Sequence, residues 1–114
     1  MRTLTDINLA PHDRAAVLQA AATLRRDFPV EQIILFGSKA RGDAADDSDI
    51  DLLVLTSRPV PWPEQARMIR AVSPIQREHD VLFSLLIVPR EEWLAGLYQV
   101  LPLRREVDRD GVAA

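Results

Sequence analysis

The chain has 114 residues, 47% hydrophobic and 27% charged, a balance that fits one soluble domain spanning 1–114 and excludes disordered, collagen-like and coiled-coil classes. It contains no cysteine, which excludes disulfide scaffolds, thiolate catalysis and cysteine-ligated metal centres. The net charge of −3 is concentrated in one place: Asp43, Asp46, Asp47, Asp49 and Asp51 crowd a stretch with no basic residue, and nothing elsewhere suggests a basic face for nucleic acid.

In chain order, Met1 to Arg14 alternates polar and apolar residues and lacks the apolar stretch of a secretory signal, so a cytoplasmic location is expected. From Pro11 to Phe28 the residues Ala15, Val17, Leu18, Ala21, Ala22, Leu24 and Phe28 recur mostly at three- and four-residue spacing, which predicts an amphipathic helix closed by Pro29. Ile33 to Phe36 is apolar at every position and reads as a strand covered on both faces, ended by Gly37. Lys39 to Ser48 is polar and small, a loop or short helix leading into a strand over Asp49 to Leu55.

Pro59, Pro61 and Pro63 mark a surface turn, and Pro63 can open a helix through Met68, Ile69 and Val72 as far as Pro74. Val81 to Val88 reads as a third strand; it is the longest apolar run, is broken by Ser84, and falls far short of the roughly 20 residues of a spanning helix, so no membrane anchor is expected. Pro89, Glu91 and Glu92 suit the start of a helix carrying Trp93, Leu94, Leu97 and Tyr98, followed by a short closing segment near Gly111. Trp62, Trp93 and Tyr98 are expected in packing roles. The order of elements gives an α/β (α+β) domain: a small mixed β-sheet flanked by helices.

The chemistry concentrates in Gly37 to Val54, GSKARGDAADDSDIDLLV. Two residues apart in a strand, Asp49 and Asp51 point the same way with Cα atoms about 6 to 7 Å apart. Such a pair repels itself unless a divalent cation or a shared proton relieves it. Magnesium meets that need with one or two carboxylates plus substrate phosphates, which favours phosphoryl or nucleotidyl transfer. Gly37 lets a phosphate approach the backbone, Ser38 offers a hydroxyl and an amide, and Lys39 and Arg41 add positive charge. Those two cations could instead pair with the loop aspartates, an arrangement usually worth about 0 to 1 kcal/mol at a surface.

Competing motifs fail on spacing. Gly37 is followed by SKARGD, which is not a P-loop; Leu52 and Arg58 occupy positions where an EF-hand needs glycine and glutamate. His12 and His79, far apart and without cysteine, give zinc little to build on.

The pattern of GS, ten residues, then DxD resembles the signature of the DNA polymerase β-like nucleotidyltransferase superfamily. Within it the chain is similar to the minimal nucleotidyltransferases, through GSKARG, SDIDLLV, the later apolar strand and REEWL, over about Gln32 to Gly111. The resemblance implies a nucleotidyltransferase fold that moves AMP from ATP to a hydroxyl with two magnesium ions, and a role as antitoxin to an all-helical HEPN partner encoded beside it. It assigns the triphosphate to Gly37 and Ser38 and the metals to Asp49 and Asp51. A third family carboxylate normally lies on the later strand; VLFSLLIV has none, so the nearest candidate is Asp80 at its edge, whose parity matches Leu82 and Ser84.

Two readings therefore remain: a protein adenylyltransferase, or a nucleotidyltransferase-fold module that neutralises a helical partner without turnover. Small-molecule adenylylation of the aminoglycoside kind is disfavoured because those enzymes carry an added helical domain.

Overall fold

The computed structural model describes residues 1–114. Its centre is a five-stranded mixed sheet in the order β1-β5-β2-β3-β4, built from β1 (Arg2–Thr3), β2 (Val30–Phe36), β3 (Ile50–Thr56), β4 (Phe83–Pro89) and β5 (Val112–Ala113). The long central pair β2 and β3 runs antiparallel, β3 and β4 run parallel, and β5 lies antiparallel to β2 and parallel to β1. The expected mixed sheet with flanking helices is therefore present, enlarged by two short strands at the chain ends. Those two-residue strands carry too little apolar pattern to be read locally; they exist because Arg2 and Thr3 pair with Val112 and Ala113 from the far end of the chain.

Alternation along the strands separates two apolar layers. Ile33, Leu35, Ile50, Leu52 and Val54 face α1 (Pro11–Asp27), α3 (Trp62–Ala71) and α4 (Ser73–His79), where Val17, Leu24, Met68, Val72 and Ile75 complete the larger core. Ile34, Leu53, Leu55 and Val88 face the other way, onto Trp93 of α5 (Arg90–Ala95) and Val107 of α6 (Pro102–Asp110). Both central strands are covered on both faces, as their unbroken apolar runs require.

Several boundaries differ from the sequence expectation, among them the start of β3, which is Ile50 where Asp49 was expected, so that Asp49 lies just ahead of the strand. Pro74 does not end the helical path, because the chain starts a new helix at Ser73 and the proline takes its second position, where no intrahelical N–H is needed. The third strand begins at Phe83, two residues later than expected; the helix after it ends at Ala95, leaving Leu97 and Tyr98 in a separate 3-10 turn, and the closing segment of the chain is a helix, α6. Trp62 is 68% exposed at the start of α3 and has no packing role.

Trp93 is buried, with the Tyr98 ring 5.5 Å away and the Arg104 guanidinium carbon 5.3 Å from its ring centroid. Arg104 also donates to the Trp93 carbonyl at 2.6 Å and pairs with Asp108 at 3.2 Å, fastening α6 to α5. Arg104→Ala should lower stability by about 1 to 2 kcal/mol in urea denaturation, with Arg104→Lys recovering only part, since lysine cannot stack and donate at once.

Candidate functional site

β2 ends at Phe36, and the chain turns through Gly37 into a single helical turn, α2 (Ser38–Arg41). Gly37 adopts φ 75° and ψ −158°, a conformation open essentially to glycine alone. The space reinforces the requirement: a Cβ at Gly37 would stand 2.3 Å from Asp51 Oδ2. The Gly37 backbone is thus packed directly against the Asp51 carboxylate, and Ser38 follows at once. Ala40 and Arg41 donate their amides to the Gly37 carbonyl at 3.1 Å, leaving the Ser38 and Lys39 amides without a partner inside the helix.

Asp51 is the second residue of β3, in register with Phe36 on β2 and Ser84 on β4. Its parity with Leu53 and Leu55 puts it on the α5–α6 face of the sheet, at the open end of the strand. Asp49 immediately precedes the strand and is exposed. Burial, then the nearby charges of Asp49 and Glu106, push the Asp51 carboxyl above the usual carboxylate range, and Arg41 opposes them. The repulsion expected between the two aspartates is therefore present.

No three His, Cys, Asp or Glu side chains converge into a metal cage. A pair of repelling carboxylates beside a glycine turn fits magnesium that arrives with a nucleotide, since that ion commonly takes one or two carboxylates and completes its shell with phosphate oxygens and water.

Asp80 is not part of this group. It caps α4 in a left-handed conformation, φ 54° and ψ 51°, and does not enter the strand, so the parity argument that aligned it with Ser84 does not apply. It lines a cavity of about 750 Å³ together with Asp46, Asp47, Ser48 and His12, and neither Asp49 nor Asp51 borders that cavity. The β4 position beside Asp51 is Ser84, which carries no charge.

Lys39 also departs from expectation. Placed by the sequence among nucleotide-binding residues, it is turned inward, with Nζ 2.9 Å from Asp13 Oδ2 on α1. Arg41 remains at the surface, but its guanidinium pairs with Asp43 at 3.2 Å and with Glu106 of α6 at 3.0 Å, so the loop-aspartate alternative holds for Arg41. Glu106 and Asp13 were not visible in the sequence as site residues, since each meets its partner only across 65 and 26 residues of chain.

Comparison with known proteins bears on the same segment. Residues 18–97 match the family model described as nucleotidyltransferase domain. A Methanocaldococcus jannaschii protein provisionally named a protein adenylyltransferase is 35% identical over 66 residues, which is 58% of this chain and 66% of that protein, just under two thirds of its length. A solved structure provisionally described as a minimal nucleotidyltransferase superposes with a TM-score of 0.60 at 26% identity, covering 87% of this chain and 89% of that one. A crystal structure described as a toxin–antitoxin with AMP-PNP gives a TM-score of 0.58 at 18% identity over 91% of this chain and 72% of that one, a likeness of fold. The family match runs from α1 through α5 and takes in the Gly37–Ser38 turn and the Asp49–Asp51 pair set against it, so this chain belongs to the nucleotidyltransferase domain family.

Proposed function

We propose that residues 1–114 act as one magnesium-dependent nucleotidyltransferase unit that transfers AMP from ATP to a hydroxyl group of a partner protein. The observation that carries this reading is the contact between the Gly37 backbone and the Asp51 carboxylate, which places a phosphate-accepting turn directly beside the carboxylate pair. Gly37, Ser38 and the unpaired amides at the start of α2 receive the triphosphate, and Asp49 and Asp51 hold the metal. When bound, magnesium neutralises phosphate charge and lowers the cost of ionising the attacking hydroxyl.

In the transfer, the acceptor oxygen forms a bond to the α-phosphorus as the bond from that phosphorus to the bridging oxygen breaks. Pyrophosphate leaves with the electron pair, and the hydroxyl proton passes through a site carboxylate to water.

The proposed partner is a helical HEPN-type toxin and the proposed setting the cytoplasm, where ATP is available. Similarity in fold to structures described as toxin–antitoxin complexes supports the partner assignment. A second reading, binding without turnover, is favoured by β4 carrying no carboxylate, with Ser84 in register with Asp51.

Labelled ATP and the co-expressed partner separate the two. Label should enter the partner only with magnesium; a stable complex that takes up no label would establish the binding module. Calorimetry provides a second check. ATP should bind at least about tenfold more tightly with magnesium than in chelator, because bare Asp49 and Asp51 repel the triphosphate. Equal affinity would remove the carboxylate pair from the site.

A further inference from the structure

The protein buries two charged side chains, and they are each other's partner. Asp13 and Lys39 are only 3% and 6% exposed, with Nζ to Oδ2 at 2.9 Å. The remaining Lys39 donors reach the carbonyl of Ala45 at 3.4 Å and that of Asp46 at 3.3 Å. An ammonium has three protons, and here they are directed to three acceptors on two separate segments, helix α1 and the loop before β3. Lys39 itself sits on α2, next to Ser38, while Asp46 lies three residues before Asp49.

Stability alone does not call for this arrangement. A buried ion pair loses so much hydration that a well-packed apolar pair of similar volume is often equally or more stable. Nor is the Asp13 carboxylate fully satisfied: Oδ1 makes no hydrogen bond, and His12 Nε2 stands 3.3 Å from it outside bonding geometry. What the ammonium supplies that an apolar contact cannot is direction. Its bonds to two consecutive loop carbonyls fix the path by which the chain enters β3, relative to the helical turn that begins at Ser38.

We propose that Lys39, held by Asp13, is a positioning residue for nucleotidyl transfer, latching the Asp43–Ser48 loop so that Asp49 and Asp51 stand in register with the Ser38 turn. The proposal rests on the transfer reading above. A displacement of about 1 Å in a reacting group can cost roughly a hundredfold in rate, so a slack loop should be felt in kcat before it is felt in nucleotide affinity.

The test uses the full chain with its co-expressed partner. In Asp13→Leu/Lys39→Met the buried charges are replaced by apolar groups and the loop bonds are removed. Its melting temperature should stay near wild type while kcat falls by about ten- to a hundredfold and KM for magnesium–ATP changes by less than about threefold. Amide hydrogen exchange over residues 43–49 should speed up in the same variant. Asp13→Asn keeps an acceptor for Nζ but strips Lys39 of its counter-charge; it should melt lower yet recover most of the kcat lost in the double variant.

A purely structural pair predicts the reverse, with kcat following melting temperature across both variants. That result, or wild-type exchange and wild-type kcat in the double variant, overturns the proposal. Exchange needs no turnover, so the latch is decided even if wild type fails to transfer AMP. Such a failure would overturn the transfer reading and the catalytic half of this proposal with it.

Discussion

Asp51→Asn is expected to reduce AMP transfer by more than about a hundredfold while raising the melting temperature at neutral pH. The two effects have one origin. Burial and the charges of Asp49 and Glu106 raise the Asp51 carboxyl above its ordinary value in the fold, against the pull of Arg41. The native state therefore holds this proton more tightly than the unfolded chain does. Stability from this group is complete when both states are protonated, and it is lost as pH rises from the ordinary carboxylate value through the raised folded value. Above the raised folded value the wild-type protein carries the penalty of an ionised Asp51, and asparagine does not.

The melting-temperature gap should therefore be widest near neutrality and close as the solution is acidified past the ordinary carboxylate range, which calorimetry across pH would record. Asp49→Asn removes the second-largest push on Asp51, after burial, and should likewise abolish transfer. Magnesium with nucleotide should narrow the gap from the other side, by stabilising only the protein that retains both carboxylates. A gap that is unchanged in acid, or normal transfer by both variants, would locate the chemistry elsewhere.

What the sequence disclosed and what it hid divide by range along the chain. The juxtaposition of Gly37 and Asp51 was legible because strand alternation and glycine conformational freedom are local rules, and the structure packs the one against the other; Asp49 lies one residue ahead of β3, so alternation does not place it. The central strands were legible too, since apolar runs such as Ile33–Phe36 mark chain buried on both faces. Asp80 was misread because its assignment required the strand to begin two residues before it does. Parity has no meaning in the left-handed cap that the residue actually occupies.

Lys39 was misread for a different reason: a lysine beside a phosphate-binding turn suggests a ligand, and only the packing of α1 reveals that Asp13 claims it. Glu106 had no signal at all, because its position depends on α6 folding back across β2 to reach Arg41 and the neighbourhood of Asp51. Short-range pattern thus located the carboxylate pair and the turn, whereas the charges that surround them are set by tertiary placement.

Gly37→Ala should damage both stability and function, and the two losses can be separated. At φ 75° and ψ −158° a side chain costs on the order of 1 to 3 kcal/mol in backbone strain, because only glycine occupies that region readily. At roughly 4 to 8 °C per kcal/mol for a domain near this size, the melting temperature should fall by about 4 to 24 °C. The added methyl group would also stand 2.3 Å from Asp51 Oδ2 and 3.2 Å from its Cγ, closer than non-bonded atoms approach, so the carboxylate must rotate away from the Gly37–Ser38 turn. Transfer should drop by about a hundredfold even at temperatures where the variant remains folded. Introducing Gly37→Ala into an Asp51→Ala background isolates the backbone component: the contact that remains, to the Cβ at position 51, is an ordinary 3.5 Å. The destabilisation should then shrink toward the strain value alone, and the difference between the two backgrounds measures how firmly the Asp51 carboxylate is held against the turn. Equal destabilisation in both backgrounds would mean that the carboxylate moves aside freely, and a Gly37→Ala protein with wild-type melting and transfer would show that the packing of the turn against Asp51 has no part in the site.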